Sequence, residues 1–220
     1  MLNSIICGDC LEVMKQMPDK SIDLVLTDPP YKLSQEYSSN ADPDNLIAVA
    51  SLYESSKEMY RLAKDGSICI LFYDTRILPL ALHAMNKSGW KYLRALTLYR
   101  RAGNAHKLSG WMSTSDFILI FVKGTAKPVF YGPWKHDVYI KDKMEKIGYN
   151  HPAQKPVNIL EHLILNTTKE KGIVLDPYLG CGSTAEASLR VKRNYIGIEI
   201  SPEYCAIAEA RIKSISNPLF

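Results

Sequence analysis

The chain has 220 residues, of which 46% are hydrophobic and 23% charged, and a formal net charge of +4. These are the proportions of one ordinary globular domain. No apolar run approaches the roughly 18 residues of a membrane span, and residues 1–6 lack the basic start and long apolar core of a signal peptide. The five cysteines are odd in number and scattered, which excludes a disulfide framework and indicates a reducing cytoplasm.

In chain order, Ile5-Ile6 reads as a short strand. Asp9 stands where a helix N-cap belongs, with Glu12 at capping-box spacing. Cys7 and Cys10 form a C-x-x-C without a second ligand pair, so they are read as packing residues and no metal is expected. Ile22-Asp23-Leu24-Val25-Leu26-Thr27 is apolar enough to be a buried strand of a parallel sheet. Residues 32–45 read as a polar loop, and 46–63 as a helix that Lys64-Asp65-Gly66 stops, glycine taking the C-cap role. A buried strand is predicted at 67–72, a helix at 78–86 and strands at 92–99 and 117–122, with a loop over 100–112 between the last two. Residues 125–150 alternate aromatics with cations. Beyond them come a helix at 157–168, a strand at 173–175, a glycine-rich turn, a strand at 195–200 and a last helix opened by Ser201-Pro202. Repeated strand–helix alternation predicts a doubly wound, mostly parallel α/β sheet, Rossmann-like, in a single domain with a short excursion at 125–150.

Asp28-Pro29-Pro30-Tyr31 follows the first buried strand directly. Pro29 has no N–H for a ladder, and each proline biases its predecessor away from helix. The strand therefore stops at Asp28, and a stiff turn gathers a carboxylate, rigid carbonyls and an aromatic ring. Acceptors in a row suit an amino group, and Tyr31 suits a flat ring. The chemistry implied is a planar base with an exocyclic amine, whose nitrogen gains positive charge as it reacts; two acceptors on its hydrogens stabilise that charge. These four residues alone also fit a plain proline turn.

The second turn, Asp176-Pro177-Tyr178-Leu179-Gly180-Cys181-Gly182-Ser183-Thr184, lets backbone approach a ligand at a helix start. Gly180, Gly182 and Ala185 match G-x-G-x-x-A, and Glu199 follows at the spacing of a ribose-binding acid, so a dinucleotide oxidoreductase is a rival reading. Acids at Asp176, Glu199 and Asp9 better suit a ligand with an amine, a ribose and a cation, as S-adenosylmethionine has. The middle of the chain is basic: residues 91–155 hold twelve Lys and Arg against four Asp and Glu. Arg100, Arg101, His106, Lys107 and Trp111 fall in one predicted loop. Lys135, Lys141 and Lys143 lie among aromatics in the 125–150 stretch. Cations and aromatics together suit phosphates and bases; a solvated lysine-rich surface is the other reading.

The whole chain resembles the β-class amino-group DNA methyltransferases, in which the D-P-P-Y motif precedes a D-P-F-x-G-x-G-T cofactor loop. Gly8-Asp9-Cys10-Leu11, His151-Pro152-Ala153-Gln154-Lys155-Pro156 and residues 195–201 extend the likeness. Tyr178 stands where that family usually has Phe, and Cys181 is an unusual loop residue. The resemblance implies the S-adenosylmethionine-dependent methyltransferase fold, with Asp28, Pro29, Pro30 and Tyr31 holding a flipped base. It puts Asp176, Gly180 and Gly182 around the methionine part of the cofactor, Glu199 on the ribose and Asp9 at the adenine, with Cys10, Tyr178, Ser183 and Thr184 also in the cofactor site. Lys155 and Asn158 are placed at the cofactor tail. The implied reaction is methylation of adenine N6 in duplex DNA, in a bacterial or phage-encoded enzyme working in the cytoplasm. N4 of cytosine, RNA adenine and a protein glutamine amide are the alternatives, with a non-enzymatic DNA-binding module beyond them. A homodimer and a cognate restriction enzyme are compatible partners.

Overall fold

The computed structural model describes residues 1–30, 43–73, 78–105, 112–131, 136–141 and 154–216. In order they form β1 (Ser4–Cys7), α1 (Cys10–Lys15), β2 (Ile22–Thr27), α2 (Pro43–Leu62), β3 (Ala63–Tyr73), α3 (Leu78–Lys87) and β4 (Trp90–Ala105). They continue as β5 (Met112–Lys123), β6 (Val138–Lys141), α4 (Val157–Thr167), β7 (Ile173–Asp176), α5 (Ser183–Arg190), β8 (Asn194–Glu199) and α6 (Pro202–Ser216). The strands make one eight-stranded sheet in the order β1-β8-β7-β2-β3-β5-β4-β6. β5 pairs antiparallel with both neighbours, and the remaining pairs are parallel.

Both faces of the sheet are apolar, as a parallel sheet between helix layers requires. Cys69, Leu71, Leu119 and Phe121 face Met14, Leu52, Met59 and Met85 of α1, α2 and α3. The alternate residues Ile68, Ile70, Ile118 and Ile120 face Leu160, Leu163 and Ile164 of α4 and Ala187 of α5. α6 adds Ala208 to a smaller cluster with Ala185 and Tyr195. Strand periodicity would put Ile22 and Leu24 on one face, yet they lie in opposite layers. A register shift between them makes the switch: Ile22 pairs with Ala63 but Leu24 with Ile68.

That shift also corrects the predicted helix stop. α2 ends at Leu62 and β3 begins at once with Ala63, so Lys64-Asp65-Gly66 belongs to the irregular start of the strand. Gly66 supplies the left-handed φ of +80° there, which residues with a Cβ rarely adopt. The 100–112 loop is corrected too. β4 runs on to Ala105 and Met112 opens β5, the two pairing through Asn104–Ser113 and Ala105–Met112. Arg100 and Arg101 are therefore strand residues. Their stretch carries no apolar alternation to announce a strand, and cross-strand pairing supplies the conformation.

Within 125–150, Val138–Lys141 becomes the edge strand β6, parallel to β4. Tyr139 lies against His162 of α4, ring centroids 6.4 Å apart, and the Tyr131 N–H donates to the Asn166 carbonyl at 2.8 Å. Among the described residues no helix is long and apolar enough to cross a membrane.

Candidate active site

β7 and β2 are neighbours at the centre of the sheet. The chain proceeds from β7 to β8 on one side and from β2 to β3 on the other. This is a topological switch point, where a doubly wound sheet leaves a crevice beyond its strand ends. A cavity of about 600 Å³ lies there, within the usual range for a small-ligand site of about 300–1,000 Å³. Asp28, Pro29 and Pro30 line it from the end of β2, Asp176, Tyr178 and Gly180 from the end of β7, and Glu199 from the end of β8. Asp9 and Cys10 line it from the start of α1, and Ser183 and Thr184 from the start of α5. Two turns 148 positions apart in the sequence thus share one chamber.

Asp176 is the buried anchor of that chamber, 4% exposed. Its Oδ1 accepts from Thr27 Oγ1 at 2.8 Å and from the Tyr178 N–H at 3.1 Å. Thr184 also bonds the carboxylate. Burial pushes the carboxyl up to about 6, and the Asp28 charge acts in the same direction; the Thr184, Thr27 and Tyr178 bonds pull it down. Glu199 ties the glycine turn to the next strand. Its Oε2 accepts from the Gly180 N–H and its Oε1 from the Ser201 N–H, each at 2.8 Å. A carboxylate oxygen has two lone pairs, so both oxygens retain acceptor capacity toward ribose hydroxyls. Asp9 caps α1, its Oδ1 accepting from the Leu11 and Glu12 N–H groups at 2.8 and 3.2 Å.

Gly182 opens α5 with φ +85°, and a Cβ there would fall 2.9 Å from the Ala208 Cβ. Its job is to let the glycine turn pass under α6. The expected cost of Gly182→Ala is about 2–4 kcal/mol, combining a left-handed penalty with overpacking. Urea denaturation without ligand should show it, and a stability equal to wild type would remove the argument.

Several supporting groups carried no signal in the sequence. Ser51 and Ser55 of α2 and Cys10 surround the Tyr178 hydroxyl, which a Phe would lack, and burial pushes it up to about 12. Behind the turn, Arg211 of α6 pairs with Glu186 of α5 and donates to the Cys181 carbonyl at 3.3 Å. Arg211 is 1% and Glu186 4% exposed. The cysteine reading is corrected at Cys7, which is exposed rather than packed and lies beside the Cys205 thiol. Cys10 does pack, against the α1–α3 layer, while also lining the cavity.

Of the two expected cofactor-tail residues, Lys155 lines the cavity and Asn158 does not. Lys155 reaches into the cavity but forms an ion pair with Asp28. Asn158 is exposed on α4 and accepts from the Ile159 N–H at 2.9 Å. Tyr31, His106, Lys107, Trp111, Lys135 and Lys143 lie outside the described residues, and for Arg100, Arg101 and Lys141 the backbone alone is described.

The sheet order, the crevice at its centre and the acid-rimmed glycine turn define a doubly wound α/β enzyme that seats a nucleotide-like ligand. The family model described as DNA methylase, of the N6/N4 methyltransferases, matches residues 22–210, and the chain belongs to that family. The Type II methyltransferase M2.DpnII of Streptococcus pneumoniae is 29% identical, over 96% of this chain and 89% of its own. Among solved structures, the M1.HpyAVI–SAM complex superposes with a TM-score of 0.75 at 24% identity, over 95% of this chain and 98% of its own. The PvuII DNA methyltransferase, which is cytosine-N4-specific, superposes with a TM-score of 0.80 at 19% identity, covering 94% and 85%.

Proposed function

We propose that the chain transfers a methyl group from S-adenosylmethionine to the exocyclic N6 amine of an adenine flipped out of duplex DNA. The observation that carries this reading is the shared cavity, in which the Asp28-Pro29-Pro30 turn and the acid-rimmed glycine turn face one space. The cofactor's parts fit the groups present: Asp176 would accept from its cationic tail, Glu199 from ribose hydroxyls, and the Asp9–Cys10 segment would meet the adenine edge. When bound, it supplies an electrophilic methyl on a sulfonium. Asp28 and the Pro29 carbonyl each accept one amine hydrogen. This would draw the nitrogen toward tetrahedral geometry and free its lone pair for the incoming methyl, and the proton that the methylated nitrogen must then release would leave through the Asp28 carboxylate to water. Tyr31 is assigned to stacking on the base, worth about 1–3 kcal/mol against the few kcal/mol of flipping.

Adenine is favoured over cytosine by the aspartate at the first motif position, where the resemblance associates serine with N4-cytosine. The fold shared with a cytosine-N4-specific enzyme keeps cytosine as the second reading. Nucleoside mass spectrometry of unmethylated duplex DNA, after incubation with the protein and S-adenosylmethionine, decides it. N6-methyladenine supports the first reading and N4-methylcytosine the second; neither product, with cofactor binding shown separately, rejects both.

The DNA is assigned to the basic edge. β4 and β6 run in the same direction as β2 and β7, so their carboxyl ends share the active-site end of the sheet. Tyr73 at the end of β3 is level with Thr97, and β4 continues past it through Arg100, which pairs in register with Lys141. Arg100 and Arg101 thus stand beyond the crevice on a projecting strand. Residues 125–150, with Lys135, Lys141 and Lys143, are assigned as the target-reading excursion. Neutralising Arg100, Arg101 and Lys141 is expected to cut the slope of log affinity against log salt by about 2–3, at roughly 0.9 per phosphate contact. An unchanged slope in filter binding would return this edge to a merely solvated surface.

A further inference from the structure

The acid assigned to the target amine already holds a cation. Lys155, just ahead of α4, donates from Nζ to Asp28 Oδ2. The same ammonium lies 5.2 Å from the ring centroid of Phe72, near the end of β3. Both partners are largely shielded, with side chains 15% and 24% exposed. Three segments thus converge on one carboxylate: the turn after β2, the end of β3 and the approach to α4.

An ammonium bonded to Asp28 has the features the reaction develops on its substrate, N–H donors on a nitrogen carrying positive charge. We propose that Lys155 is the positioning residue of Asp28, occupying the amine subsite while the base is absent, keeping the carboxylate ionised and aimed into the cavity, and giving way when the exocyclic amine enters. The inference rests on the amine-methylating reading above. Two arguments support it. A carboxylate shielded from water beside another acid is driven to take up a proton unless a cation holds it. Among the described residues, Asp176 from β7 is that acid, Lys155 is the cation, and Phe72 from β3 is apolar. A protonated carboxyl would lose the charge that stabilises the reacting nitrogen. Conversely, a cation kept on Asp28 during transfer would oppose the positive charge forming there, so the ammonium must leave as the amine arrives.

The test follows the Asp28 carboxyl carbon by NMR in the full chain labelled with [γ-13C]aspartate, its signal assigned by loss in Asp28→Asn. Lys155→Met keeps the apolar stem and removes the cation, and Lys155→Arg restores a cation. The titration midpoint of Asp28 is expected to rise by one pH unit or more in Lys155→Met and to stay near wild type in Lys155→Arg. The acid limb of single-turnover methylation should move with it. Because ammonium and amine compete for one carboxylate, KM for duplex DNA should fall at least threefold in Lys155→Met, measured where Asp28 is ionised in both proteins. An unmoved midpoint, or a raised KM, overturns the proposal. Tenfold weaker S-adenosylmethionine binding with an unmoved midpoint would assign Lys155 to the cofactor tail instead. If the wild type methylated no DNA, the functional reading would fail, and the NMR midpoint would still judge the hold of Lys155 on Asp28.

Discussion

Replacing Asp28 with alanine is expected to abolish methyl transfer while leaving S-adenosylmethionine bound. Among the described residues, the side chain is the only acid that the turn after β2 places in the cavity, and the acceptor it provides is aimed at charge that forms during the reaction. Removing one such preorganised group ordinarily costs about a hundredfold to a thousandfold in rate. Here the loss should be larger, because the Lys155 ammonium is left without its carboxylate beside the reacting nitrogen. Cofactor binding should survive because its groups are held independently. Asp176 is fixed by Thr27 and the Tyr178 N–H, and Glu199 by Gly180 and Ser201. Single-turnover methylation and calorimetry on the same preparation separate the two effects, with circular dichroism to confirm folding. Asp28→Asn keeps the shape and an acceptor and should retain more activity than alanine. Turnover of Asp28→Ala within tenfold of wild type would remove Asp28 from the reaction.

The parts of this site legible in the sequence are those in which a strand and the turn after it are contiguous. Asp28-Pro29-Pro30 and Asp176 to Thr184 each carry their signal within a few residues: an apolar run, then groups that stop a strand or start a helix. Their meeting in one cavity follows from the switch point, which the strand–helix alternation already implies. What stayed hidden depends on distant partners. Lys155 meets Asp28 across 127 positions and Thr27 meets Asp176 across 149. Neither pairing has a periodicity to betray it. Arg211 and Glu186 are of residue types that helices ordinarily expose, and only the packing of α6 on α5 buries them against each other. The β4–β5 hairpin was lost for a related reason, since register is announced by alternation on a buried face, and Arg100-Arg101-Ala102-Gly103-Asn104 has none.

Asp176 supplies the second large effect, and it is one of stability against pH. Its folded-state carboxyl is raised from an ordinary 3.8 to about 6, chiefly by burial. The folded protein therefore holds this proton more tightly than the unfolded chain. The resulting stabilisation is full below pH 3.8 and is lost as pH rises through about 6. The displacement corresponds to about 3 kcal/mol, so at pH 7 the ligand-free protein carries an ionised, buried acid at roughly that cost. Asp176→Asn keeps the shape and the acceptor for Thr27 and Tyr178 but cannot ionise. It should be more stable than wild type by up to about 3 kcal/mol at pH 7–8, with the difference vanishing near pH 4. Urea denaturation across that range, without ligand, measures it. The same charge should be what the cationic tail of S-adenosylmethionine meets. Wild-type affinity for the cofactor should accordingly rise as pH passes through about 6, whereas the asparagine variant should bind weakly and without that dependence. This is the exchange of stability for function expected where an acid is held ready for a cation. Equal stability of the two proteins at pH 7 would show that the Thr27, Thr184 and Tyr178 bonds fully offset burial, and the pH dependence of binding would then need another group.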